Sequence, residues 1–128
     1  MIEKNELINE AKKAMVKSFV PFSNVKVGAA VLTARDKCYT GYNREKDSFK
    51  TKDYAERRAI AEAFEKGDKE ITKIVIVSNT TEFLYPNGAT RQMIYEFTPN
   101  ADILLVNSND EEITHKIEEL LPYPTKRL

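Results

Sequence analysis

Apolar residues recur along the chain with two distinct periods. Between residues 3 and 19, Leu7, Ala11, Ala14, Met15 and Phe19 fall close to the i, i+4, i+7 spacing of one helical face, and the Val20-Pro21 step is expected to end that helix. Val25 to Thr33 mixes β-branched with small residues and predicts a strand, with a close backbone approach at Gly28. Ala34-Arg35-Asp36-Lys37 reads as a turn and Cys38 to Tyr42 as a second strand, which together make a hairpin. Asn43 to Lys52 is polar and charged, and a loop is expected there. Asp53 to Lys66 gives the clearest helical pattern: Ala55, Ala59, Ile60, Ala63 and Phe64 share a face, and Gly67 sits where a left-handed cap belongs. Lys73 to Ser78 is almost continuously apolar, as in a strand covered on both faces. A loop over Asn79–Pro86 leads to a short helix, Ala89 to Phe97, with Met93, Ile94 and Phe97 inward. A buried strand (Ile103–Val106), a turn at Ser108-Asn109-Asp110, a last short strand (Ile113–His115) and one or two helical turns through Leu121 complete the pattern.

The third and fourth strands flank a helix, so they are expected to be parallel with a right-handed crossover. Helices on both faces of a mixed sheet predict a three-layer α/β/α domain. The length of 128 residues suits one domain, taken as residues 1–128, and no repeat, linker or low-complexity stretch divides it.

Composition narrows the function classes. Lys+Arg and Asp+Glu are 20 each, so no net field draws the chain to nucleic acid or an anionic membrane. No apolar run approaches the roughly 20 residues of a spanning helix, and Met-Ile-Glu-Lys-Asn-Glu does not read as a secretory signal. A cytoplasmic location is therefore expected, in keeping with a lone cysteine that has no intramolecular disulfide partner. Cys38 and His115 are the single thiol and the single imidazole, so three or four S/N zinc ligands cannot come from one subunit. Cys38 is expected to be a small core residue. His115 is expected near the surface, with no acid or nucleophile beside it.

The chemistry-bearing residues gather at two helix starts, Tyr54-Ala55-Glu56-Arg57 and Pro86-Asn87-Gly88-Ala89-Thr90-Arg91-Gln92. Both follow strands or lie close to strand ends, where open α/β sheets place ligands and where helix N-termini carry a partial positive charge. With Pro-Phe-Ser-Asn-Val-Lys-Val-Gly-Ala-Ala (21–30), Gly-Tyr-Asn-Arg-Glu (41–45), Ala-Glu-Arg-Arg-Ala (55–59), Gly-x-x-Arg-Gln (88–92) and Glu-Glu-Leu-Leu-Pro (118–122), the chain resembles the small homotetrameric cytidine deaminases over almost its whole length. The resemblance implies a five-stranded mixed sheet between helices, a nucleoside pocket and a homo-oligomer, dimer or tetramer.

It also implies a catalytic frame. In the family a Cys or His two residues before a Glu, with a later Pro-Cys-x-x-Cys, holds Zn²⁺ and readies a hydroxide, while the Glu shuttles protons. Here Tyr54 stands at the first ligand position, Asn87 and Thr90 at the other two, and Glu56 at the shuttle position. Phenol, carboxamide and alcohol oxygens are poor zinc ligands, so no zinc cofactor is expected. Zinc lowers the pKa of a bound water from 15.7 to about 7, which at about 1.36 kcal/mol per unit is on the order of 12 kcal/mol. Glu56 alone as a general base supplies about 10²–10⁴-fold, roughly 3–5 kcal/mol, and does not close that gap.

Recognition is a separate matter from chemistry. The resemblance makes Asn43 and Glu45 the partners of ribose hydroxyls and places Val25, Phe49 and Ala55 in the substrate pocket, with Val25 where relatives have an aromatic. Lys46, Lys50 and Lys52 could pair with a phosphate, which favours a nucleotide. In relatives the arginines at positions 57 and 91 offset thiolate charge. Without thiolates, Arg57 and Arg91 need Glu56 or a bound anion as partner, or are surface arginines. Structural readings stand beside these. Asp53-x-x-Glu56 fits a capping box, Asn87 fits an N-cap, and the Tyr54 ring could fill the former metal cavity with its hydroxyl on Glu56 or Thr90. Three functions follow: a zinc-free nucleoside- or nucleotide-binding protein, a metal-independent hydrolase using Glu56 and Tyr54 as acid and base, or a non-catalytic subunit of a deaminase assembly.

Overall fold

The computed structural model describes residues 1–46 and 52–126. Along the chain lie α1 (Lys4–Met15), β1 (Val27–Thr33), β2 (Cys38–Tyr42), β3 (Arg44–Glu45), β4 (Lys52–Asp53), α2 (Ala55–Glu65), β5 (Ile71–Ser78), α3 (Gly88–Phe97), β6 (Asp102–Val106), β7 (Glu112–His115) and α4 (Ile117–Leu120). Five strands form one mixed sheet in the order β2-β1-β5-β6-β7. β5 and β6, joined through α3, are parallel, and the other neighbours are antiparallel. The predicted hairpin closes β1 on β2, with Leu32 opposite Cys38 and Asp36 in the turn at φ 61°.

Strand alternation divides the core into two layers. Ala29, Val31, Ile74, Ile76, Ile103 and Leu105 pack with Ala59, Ile60, Ala63 and Ile94 of α2 and α3. Ala30, Leu32, Val75, Val77, Leu104 and Val106 pack with Leu7, Ile8 and Ala11 of α1. The domain is thus the expected three-layer α/β/α sandwich. Two glycines let the helices settle onto the sheet. A Cβ on Gly28 would lie 2.1 Å from the Ala11 carbonyl oxygen of α1, and one on Gly41 would lie 2.3 Å from the Ala55 carbonyl oxygen of α2.

Some elements differ from the sequence expectation. α1 stops at Met15, so Phe19 is 57% exposed rather than on its buried face. The chain leaves the helix because residues 19–20 are needed as strand-like backbone. Phe19 N–H donates to the Asn43 carbonyl, and Glu45 N–H donates to the Phe19 carbonyl at 2.8 Å. The expected loop over 43–52 carries a short two-stranded ribbon, with Arg44 opposite Asp53 and Glu45 opposite Lys52. Its polar residues gave no apolar alternation to read. Phe97 is half-exposed, edge-to-face on Phe64 at 5.6 Å, while Ile94 is buried as expected.

Candidate ligand pocket at two helix starts

A cavity of about 290 Å³ opens between the start of β1, the β3 ribbon and the starts of α2 and α3. Val25, Val27, Ile76 and Leu84 give it an apolar wall, and Ser23, Asn43 and Glu45 a polar end. Tyr54, Ala55 and Glu56 enter from α2, and Tyr85 and Asn87 from the segment before α3. Apolar lining with a few convergent polar groups is the usual character of a small-molecule site. Of the residues singled out from sequence, the fold brings together Val25, Asn43, Glu45, Tyr54, Ala55, Glu56 and Asn87 at this cavity. Phe49 and Lys50 lie outside the described residues.

The polar end is built by backbone. Asn43 accepts from Val27 N–H at 2.9 Å and donates to the Val25 carbonyl at 2.8 Å, so it fastens the segment entering β1. Glu45 is almost fully buried and accepts from Phe22 N–H at 2.9 Å, Ser23 N–H at 3.1 Å and the Ser23 hydroxyl at 2.5 Å. Bonds of that kind hold a carboxylate in place at the rim of the cavity.

Glu56 is the buried acid of the site. It occupies the second position of α2, after an N-cap at Tyr54 that makes no side-chain cap bond. Asp53 belongs to β4, with Lys46 Nζ 3.8 Å from its carboxylate, so the Asp53-x-x-Glu56 capping box does not form. The same contact gives Lys46 a carboxylate partner within the chain. Burial pushes the Glu56 carboxyl above its ordinary range, against a smaller opposing pull from its own backbone N–H and from the Arg57 charge. A carboxyl group whose pKa is raised in this way is better suited to giving up a proton than an exposed one.

Behind the cavity, the three positions that the resemblance assigns to metal ligands converge on one side chain. Arg57 Nε donates to Thr90 Oγ1 at 2.8 Å, its Nη2 to Asn87 Oδ1 at 3.5 Å, and its guanidinium carbon lies 5.1 Å from the Tyr54 ring centroid. Asn87 also caps α3 as expected, accepting from Thr90 N–H at 2.9 Å. The Thr90 hydroxyl, one of the two partners expected for Tyr54, accepts from Arg57 Nε. Arg57 is thus partnered within the chain rather than by Glu56 or an exposed anion site. Arg91 likewise has fixed partners, donating to the Pro86 carbonyl at 2.7 Å and the Leu120 carbonyl at 2.8 Å.

Two further residues escaped the sequence reading. Tyr85 forms part of the cavity wall, and its hydroxyl lies 3.1 Å from His115 Nε2. The His115 Nδ1 stands 3.6 Å from Glu119, so this imidazole does have an acid beside it. The pairing spans 30 residues, and the i,i+4 spacing of His115 and Glu119 across β7 and α4 was the one signal available. Cys38 is half-buried at the edge of the α1-side core, and its thiol is pushed up to about 11 by burial and by Glu10. It is a packing residue with little thiolate near neutrality.

A three-layer sandwich whose α2 and α3 starts meet at a small pocket has the layout in which α/β domains bind small ligands. Residues 1–105 match the family model described as "Cytidine and deoxycytidylate deaminase zinc-binding region", and the chain belongs to that family. It is 34% identical to a cytidine deaminase of Halalkalibacterium halodurans over 94% of this chain and 92% of that one. A probable cytidine deaminase of Dictyostelium discoideum is 31% identical, with 94% and 82% covered. The crystal structure of a cytidine deaminase from Burkholderia pseudomallei superposes with a TM-score of 0.90 at 32% identity, covering 97% of this chain and 100% of that one. No helix among the described residues is long and apolar enough to cross a membrane.

Proposed function

We propose that this chain binds a nucleoside or nucleotide in the 290 Å³ pocket and does not deaminate it by the zinc route. The observation that carries this reading is the convergence of Tyr54, Asn87 and Thr90 on Arg57. The donors at those positions are a phenol, an amide oxygen and a hydroxyl, and the last two already accept from a guanidinium. A dication placed among them would lack charged ligands and meet a like charge, so the residues present do not fit zinc. Among the described residues no group of three or more His, Cys, Asp or Glu could hold a metal ion.

Asn43 and Glu45 orient a sugar at the polar end, and Glu56, whose pKa burial raises, faces a ring nitrogen or carbonyl of the base. Isothermal titration with cytidine, uridine and their 5′-monophosphates is the direct test, run beside an assay for released ammonia. Heat of binding with ammonia no faster than the buffer blank is expected. Ammonia release at an ordinary enzymatic pace that a chelator abolishes and zinc restores defeats the reading, as does the absence of heat with all four compounds.

A second reading gains from the raised Glu56 carboxyl, which suits a general acid in a metal-independent hydrolysis of an activated bond. Chromatography of products from the parent and Glu56→Gln decides it, since equal rates exclude a role for that acid. We also infer a homo-oligomer, supported by Val16, Phe19 and Phe22, which are 75%, 57% and 53% exposed within one short segment. Sedimentation should show a species heavier than 14.7 kDa.

A further inference from the structure

Tyr85 is held far more firmly than a half-exposed loop tyrosine needs to be. It is 41% exposed, on the segment between β5 and α3. Its hydroxyl pairs with His115 Nε2 at 3.1 Å, and the two rings lie 5.4 Å apart, tilted by 52°. Glu119 stands 3.6 Å from the far nitrogen of that imidazole, and its carboxylate accepts the Lys116 N–H at 2.7 Å. From another direction the Arg91 guanidinium carbon lies 5.9 Å from the Tyr85 ring centroid, and Arg91 is itself anchored on two carbonyls. Fixing a side chain this exposed costs rotamer entropy and buries little apolar area. The result is an aromatic ring set rigidly into the wall of the pocket, beside Leu84.

We propose that Tyr85 is a specificity-determining residue of the pocket, presenting an aromatic wall to a planar heterocycle, and that His115 is the positioning residue that sets it. The inference rests on the reading of this cavity as a nucleoside site and names the part of the ligand that Tyr85 recognises: the base, not the sugar. Base–aromatic contact contributes about 1–3 kcal/mol, so loss of the ring should weaken binding about 10- to 100-fold.

The test uses cytidine, uridine and their 5′-monophosphates as probes, with calorimetry on the parent, Tyr85→Phe, Tyr85→Leu and His115→Gln. Tyr85→Leu should lose about 10- to 100-fold in affinity. Tyr85→Phe and His115→Gln, which keep the ring and lose only its tether, should lose a few-fold. His115 is the single histidine, so its carbon-bound ring protons give unambiguous magnetic resonance signals in the intact protein. Those signals should move when the probe saturates the parent and stay still in Tyr85→Leu. Parent-like affinity in Tyr85→Leu, or imidazole signals unmoved at saturation in the parent, overturns the assignment while leaving the pocket intact. A parent that binds none of the four probes removes the pocket reading and this one together.

Discussion

Glu56 is a carboxyl group with almost no water around it, and its protonation is tied to the stability of the whole chain. Burial raises its pKa in the folded state above the value it has when unfolded. The folded form therefore holds its proton more tightly, and the resulting stability is fully present below the unfolded pKa. It is lost as the pH rises through the folded pKa, beyond which a charge must be carried in the cavity. Glu56→Gln keeps the shape and removes that charge. Thermal melts at pH 4 and pH 8 should show the substitution raising Tm at pH 8 by more than at pH 4. An equal change at both would mean that the acid is not held neutral by its surroundings. At this scale the sequence was informative where a residue belongs to a local motif, as Glu56 and the Asn87 cap do. It did not reveal the Arg57–Thr90 and Tyr85–His115 pairings, which span about 30 residues and carry no periodic signal.

Elements are positioned by contacts that the hydrophobic pattern only partly encodes. α1 reaches the sheet because Gly28 has no side chain, and a methyl there would sit 2.1 Å from the Ala11 carbonyl oxygen and 2.8 Å from the Met15 Cβ. The obstacle is helix backbone, which cannot rotate aside, so the whole of α1 must lift from a face lined by Leu7, Ile8 and Ala11. Gly28→Ala should cost about 3 kcal/mol, at the upper end for overpacking, read as a lower urea midpoint with an unchanged slope. A midpoint like that of the parent would mean that α1 is not seated as described. That close approach was legible from a glycine inside a β-branched run. The end of α1 was not, because apolar spacing continues through Phe19 while the backbone is claimed by Asn43 and Glu45. The ribbon of β3 and β4 was hidden for a related reason: its pairing joins Arg44 to Asp53 and Glu45 to Lys52, charges that read as loop.

For the molecule as a whole, the two core layers form from the chain's own side chains, with Ile74, Ile103 and Leu105 fully buried against Ile60 of α2 and Ile94 of α3. That architecture followed from the order of elements, since two buried strands around a helix leave few other packings. The zinc-free reading proposed above has one consequence at this scale. A ligand that binds only the folded state at a thousand times its dissociation constant contributes about 4.1 kcal/mol, and removing it from a domain of this size lowers Tm on the order of 10 °C. If Arg57 supplies the cation among Tyr54, Asn87 and Thr90, no such dependence exists. Protein purified without added metal should then contain far less than one zinc per chain by elemental analysis, and chelator should leave its melting curve in place. Arg57→Ala offers the converse. Without the guanidinium, the buried Thr90 hydroxyl and the exposed Asn87 amide lose a shared donor, and Tm should fall with or without chelator. A stoichiometric zinc content, or a melting temperature that drops on chelation and returns when zinc is restored, would show that the cluster around Arg57 opens to admit an ion.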